Sequence, residues 1–178
     1  MLYSEKTVSS EKIFDGKVIN LRVDTVELPG GNLATRELIG HPGGVAVVPV
    51  DDDGFVYLVR QFRKPYEEFV LEIPAGKRDR GEDVLIGAKR ELSEETGLEA
   101  QNYIDLGKFY PTPGYVDEVI YIYLALGLKQ GKSHPDEDEF VEIEKIHIDE
   151  LCEMIMKNEI KDGKTIAGIL KAKLYLNK

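Results

Sequence analysis

The chain has 178 residues, enough for one domain with a small appendage, and its 42% hydrophobic and 31% charged residues suit a globular protein with its own core. A formal net charge of −10 argues against a nucleic-acid surface, which would be basic, and any anionic substrate would need metal ions or a local Arg cluster to approach. A single cysteine, Cys152, excludes an internal disulfide and a cysteine-based zinc site, and His41, His134 and His147 show no metal-ligand spacing.

The first residues, MLYSEKTVSSEKIF, do not join a basic flank to an apolar run, and no stretch reaches the length of a membrane span. A cytoplasmic protein without a membrane partner is therefore expected. Residues 4–40 read as a β-meander: VINLRVDTVEL (18–28) alternates, a Pro-Gly-Gly turn occupies 29–31, and NLATRELIG follows as a second strand. Residues 43–50 are a short apolar run typical of a buried strand. A turn at 51–54 leads to a strand at 55–62 and another at 67–74. A Gly-and-charge segment then precedes a helix from about Asp83 to Thr96, with Gly97 as its C-cap.

Strands are expected at 102–110 and 119–128, separated by the Pro- and Gly-rich loop PTPGYVDE. A second acidic loop, SHPDEDEF (133–140), precedes a strand at 141–148, and helices at about 149–158 and 163–176 complete the chain. In the last helix Ile166, Ile169, Leu170 and Leu174 keep helical spacing, which reads as core packing. The order of strands, helix, strands, helices implies an α+β class or a mixed-sheet α/β sandwich.

The helix at 83–96 carries the chemistry. Glu91, Glu94 and Glu95 stand at i, i+3 and i+4 and share one face, beside Arg90. At about 6 Å and an effective dielectric near 20, each pair of carboxylates repels by roughly 3 kcal/mol. Such a cluster asks for a counterion, and an all-oxygen donor set asks for a hard one such as Mg²⁺ or Mn²⁺. On a helical wheel Leu85, Ala88 and Leu92 fall on the neighbouring arc, so the carboxylates border the core. Glu82 is placed to cap the helix or to pair with Arg90. An exposed helix decorated with Glu and Lys/Arg pairs is the plain alternative; it suits Asp83 and Glu99 better than the crowded triad.

The segment GKRDRGEDVLIGAKRELSEETGL (76–98) resembles the Nudix box, G-x5-E-x7-R-E-U-x-E-E-x-G-U with U aliphatic. Gly76, Glu82, Arg90, Glu91, Leu92, Glu94, Glu95, Gly97 and Leu98 match without departure. Fixed letters at about 6% usage would agree by chance on the order of 10⁻⁹ per start position, so the match is specific. The resemblance implies an α/β/α sandwich of mixed sheet, with the N-terminal antiparallel meander (1–40) added to a hydrolase domain at 41–178. It implies hydrolysis of a nucleoside diphosphate linked to another moiety. Glu91 and Glu95 would be the main metal ligands, with Glu94 assisting and the Ala75 carbonyl contributing. Arg90 and Glu82 would form an orienting ion pair.

Outside the box the chain resembles the ADP-ribose pyrophosphatase branch of that family. Pro113 lies sixteen residues after Gly97, VRQFRKPYEEFVLEIPAGK (59–77) looks like the branch's approach to the box, and DEDEFVEI (136–143) resembles its acidic loop. By that resemblance Arg36, Arg60 and Arg63 are candidates for phosphate or terminal ribose, Arg63 foremost; Arg60 reads equally as a strand-edge charge. Glu118 would orient the terminal ribose. Glu139, or else Glu137, would be the base that activates water, although a solvated acidic loop is the plain alternative there. The meander would make a homodimer. ADP-ribose would be cleaved to AMP and ribose 5-phosphate. Other nucleotide sugars (ADP-glucose, GDP-mannose) are the alternative substrates, and a non-catalytic nucleotide sensor is the alternative class.

Overall fold

The computed structural model describes residues 3–79, 81–131 and 141–178. The chain divides into two units. One takes the chain up to Gly43 together with Tyr110–Val119; the other takes Gly44–Phe109 and Ile120–Lys178.

The first unit is the expected meander. β1 (Lys6–Asp15), β2 (Asn20–Glu27) and β3 (Leu33–Gly40) pair antiparallel in chain order. The Pro-Gly-Gly turn closes the β2–β3 hairpin, with Leu28 N–H donating to Asn32 O at 2.8 Å. Residues 110–119 belong to this unit because Ile39, in β3, accepts from Asp117 N–H and donates to Tyr115 O.

In the second unit β7 (Ala75–Lys77), β4 (Gly44–Pro49), β9 (Ile120–Gln130) and β8 (Leu98–Phe109) form one sheet in that order, with β4 and β9 parallel and the other pairs antiparallel. A second sheet has the order β10 (Glu142–His147), β5 (Phe55–Arg63), β6 (Glu68–Glu72), all antiparallel. Helix α1 (Val84–Thr96) packs on β4, β7 and β8, whereas α3 (Gly163–Leu176) packs on β4, β8 and β9, and α2 (Ile148–Met156) lies against α3 and β10.

The period of two along β4 explains the layering. Val45 and Val47 join Ala88 and Leu92 of α1 in one core, while Ala46 and Val48 join Ile169 and Ala172 of α3 in another. All six residues of β4 are buried, as expected of a strand covered on both faces. Full burial of a side chain such as Leu92 contributes roughly 1.5–3 kcal/mol. The α/β/α sandwich expected from the sequence is what forms. β8 begins at Leu98, earlier than the 102 expected, because its pairing with β9 runs on to Gln130. Among the described residues no helix is long and apolar enough to cross a membrane.

Candidate active site

The site is built where α1 meets the strand that leads into it. Asp83 is the N-cap: its carboxylate accepts from Leu85 N–H at 2.9 Å and from Ile86 N–H at 3.1 Å. Glu82, for which capping was one expectation, instead pairs with Arg90. The helix ends at Gly97, whose φ of 69° lies in the left-handed region that glycine adopts without strain.

Arg90 is the hub of the loop–helix junction. Its Nε and Nη2 donate to the two Glu82 oxygens at 3.0 and 3.1 Å, and Nη2 also donates to Lys77 O at 3.1 Å. Its Nη1 donates to Glu91 at 2.7 Å and to Glu94 at 2.8 Å. The Glu82 hydrogen bond above all, with Glu91 and Glu94 behind it, raises the guanidinium pKa, so the charge is permanent. Reciprocally, Arg90 holds the Glu82 carboxyl below its ordinary range. Glu82 also accepts from Asp79 N–H at 3.1 Å, and Arg78 Nη2 donates to Glu82 O at 2.7 Å. These bonds fasten Lys77, Arg78 and Asp79 to Glu82 and Arg90.

The three carboxylates differ in depth. Glu91 and Glu95 are buried, while Glu94 is half-buried. Glu95 accepts from Ala75 N–H at 2.9 Å, which joins the helix to β7. Glu91 lies against Gly76 so closely that a Cβ there would fall 2.2 Å from its carboxylate. A side chain at this position would displace that carboxylate, and the box places glycine there. Two buried carboxylates facing the Ala75–Gly76 backbone form a hard oxygen donor set, which fits a divalent cation. Among the described residues no three Asp, Glu, His or Cys side chains enclose a metal position as they stand; Arg90 supplies the positive charge between Glu91 and Glu94.

The arginines singled out from the sequence are all engaged. Arg63, at the end of β5, makes a two-pronged bond to buried Glu72, with Nε and Nη2 at 2.5 and 2.6 Å from its two oxygens. This bond, more than its other neighbours, raises the Arg63 pKa, and the charge of Glu95 is close enough to add to the effect. Arg60 pairs with Glu144 across from β10. In the first unit, Arg36 pairs with Glu5, Nε to Oε2 being 2.9 Å. Glu118 lies 3.3 Å from His41 Nδ1, Asp117 accepts from His41 N–H at 2.7 Å, and Pro113 is exposed in the 110–119 loop. Glu137 and Glu139 lie outside the described residues.

Sequence reasoning passed over Asp83 as a cap and missed Glu72, Lys164 and Asp162 altogether. The signal for Glu72 was available. A carboxylate inside the apolar run FVLEIP demands a buried cationic partner.

Known proteins resemble this chain over most of its length. Residues 40–168 match the NUDIX domain family, and residues 5–39 match the nucleoside diphosphate sugar hydrolase N-terminal domain family. The chain is 44% identical to the methanol dehydrogenase activator of Bacillus methanolicus, over 94% of this chain and 92% of that one. It is also 44% identical to the ADP-ribose pyrophosphatase of Bacillus subtilis (strain 168), over 93% of this chain and 90% of that one. A crystal structure of an ADP compounds hydrolase matches with a TM-score of 0.89 at 21% identity, covering 99% of this chain and 96% of that one. At that identity the last likeness speaks for the fold.

Proposed function

Since the chain belongs to the Nudix family, we propose that it is an ADP-ribose pyrophosphatase that works with Mg²⁺ and converts ADP-ribose and water to AMP and ribose 5-phosphate. The observation that carries the reading is the buried pair Glu91 and Glu95, set against the Ala75–Gly76 backbone and braced by Arg90. The substrate rests on the ADP-ribose pyrophosphatase relative and on the sequence resemblance outside the box.

Glu91 and Glu95, with Glu94 and the Ala75 carbonyl, would hold the cation. When bound, a divalent metal screens the diphosphate charge, stabilises charge building on phosphorus and acidifies a water. The Arg90–Glu82 pair keeps the loop and helix in register, so the ligand carboxylates stay aimed at the strand. Arg63 offers donors to phosphate oxygens from beside Glu95. Arg36, Arg60, Pro113 and Glu118 complete the substrate contacts in this reading. Glu139 takes the proton of the attacking water, with Glu137 as the second candidate. The water oxygen bonds to one phosphorus, the bridging P–O bond breaks, and the leaving phosphate carries the bridging oxygen away.

The same reading makes the meander (1–40) a homodimer element beside a hydrolase domain at 41–178, and makes the protein cytoplasmic with no nucleic-acid partner, in keeping with the charge of −10. Mn²⁺ would substitute for Mg²⁺ as another hard cation. A non-catalytic sensor would be expected to lack a box carboxylate, and every one is present here. The test is product analysis over ADP-ribose, ADP-glucose and GDP-mannose with Mg²⁺. ADP-ribose should be turned over fastest, yielding AMP; faster cleavage of either hexose nucleotide would overturn the substrate assignment.

A further inference from the structure

A second charged cluster is folded beside the first, and the reaction outlined above makes no use of most of it. Glu72 lies in β6 between Leu71 and Ile73, all of them buried, and is itself 2% exposed. A carboxylate at that depth is tolerable only if paired and hydrogen-bonded. Arg63 supplies two of its bonds. Lys164 Nζ supplies another, from a side chain that is also buried. Lys164 donates in addition to Asp162 at 3.0 Å.

Asp162 is the N-cap of α3. It accepts from Thr165 N–H at 2.9 Å and from Thr165 Oγ1 at 2.5 Å. Thr165 Oγ1 in turn accepts from Ile73 N–H at 2.9 Å. The first turn of α3 thus grips the strand segment Glu72–Ile73 at two points, once by charge and once by a neutral bond. That segment runs through Pro74 into Ala75, whose N–H donates to Glu95. Two cations, Arg63 and Lys164, balance two anions, Glu72 and Asp162.

The arrangement has a direction. Arg63 gives Nε–H and one Nη2–H to Glu72, which fixes the plane of its guanidinium and leaves three N–H donors of the fork uncommitted to that carboxylate. Lys164 anchors Glu72 from the α3 side. Without that anchor, Glu72 would be tied through Arg63 alone, and the two side chains would be able to shift together.

We propose that Lys164 is a positioning residue: by holding the buried Glu72 carboxylate, it sets the Arg63 fork at the angle that receives the phosphate oxygens of the substrate. The proposal rests on the assignment of Arg63 to phosphate binding made above. Lys164 is too enclosed, and too fully engaged by Glu72 and Asp162, to be a substrate contact itself.

Steady-state kinetics on ADP-ribose with Mg²⁺ test this, using wild type, R63A, K164M, K164R and the R63A/K164M double variant. K164M should raise KM about tenfold, in the range seen when a supporting hydrogen-bond partner is removed, with kcat within about threefold of wild type. K164R keeps the charge and should recover most of the loss. The double variant should be no worse than R63A, because Lys164 acts through Arg63. An unchanged KM in K164M, or KM effects that multiply in the double variant, would overturn the proposal. If R63A itself leaves KM at the wild-type value, the Arg63 assignment fails and takes the proposal with it. If R63A raises KM while K164M does not, the proposal alone fails. Thermal unfolding of each variant checks that it is folded; should K164M not be, K164Q carries the same expectations.

Discussion

At the scale of single residues the site depends on Arg90 and Gly76. Arg90 binds Glu82 on one side and Glu91 and Glu94 on the other, so one guanidinium orients three carboxylates. Lysine cannot reproduce that fork. Arg90→Lys is expected to lower kcat/KM by about 10–100-fold, as removal of a ligand-orienting partner does; initial-rate kinetics would check it. Gly76 has a different role. A methyl group there collides with the Glu91 carboxylate at 2.2 Å. Gly76→Ala should therefore weaken metal affinity by at least about tenfold while circular dichroism shows the fold intact. Calorimetric titration with Mn²⁺ would measure it, and unchanged affinity would count against the Glu91 carboxylate binding the metal from its position beside Gly76.

At the scale of elements, α1 is held at both ends by identifiable groups. Gly97→Ala forces an L-residue into the left-handed region and should cost about 1 kcal/mol, read from the urea midpoint. Asp83→Ala removes two bonds to helix N–H groups and should cost about 1 kcal/mol as well. The helix was legible because its signals are local: Gly97 sits at its C-terminal end, and Leu85, Ala88 and Leu92 repeat with its period, although the Asp83 cap was passed over. The carboxylate face followed from the same geometry. What could not be read was the pairing of distant charges. Lys164 and Glu72 are 92 positions apart, and no periodicity links them. The start of β8 escaped for a related reason: residues 98–101 are LEAQ, of weak strand propensity, and are drawn into the sheet by their partners in β9. Nor does any local pattern show that residues 110–119 join the meander, since that depends on the bonds of Ile39, far earlier in the chain, to Tyr115 and Asp117.

At the scale of the whole molecule, buried charge links stability to pH. Burial alone would push the Glu72 carboxyl up, but the Arg63 fork and Lys164 outweigh it and hold it below its ordinary 4.5. A folded-state pKa below the unfolded one means that the stabilisation is complete above about pH 4.5 and is lost as pH falls through the folded value. Glu82 has the same sign, through Arg90. Urea unfolding should therefore show stability declining below that pH. Glu72→Gln should be less stable at neutral pH, because Arg63 and Lys164 lose their anion, yet its acid decline should be shallower. An equally steep decline would show that Glu72 does not carry the linkage.

Charge also bears on the proposed activity. The chain carries a net charge of −10 and, in the reading advanced above, takes an anionic diphosphate, so its turnover must depend on cations held by the box carboxylates. The most direct test is a Mg²⁺ titration of ADP-ribose cleavage by wild type and by Glu95→Gln, with AMP and ribose 5-phosphate quantified. Wild type should need the metal and yield both products, whereas Glu95→Gln should be slower by about a hundredfold or more at saturating metal, a loss of about 2.7 kcal/mol in transition-state stabilisation. Cleavage by Glu95→Gln at the wild-type rate, with the same metal dependence, would contradict the assignment of this site.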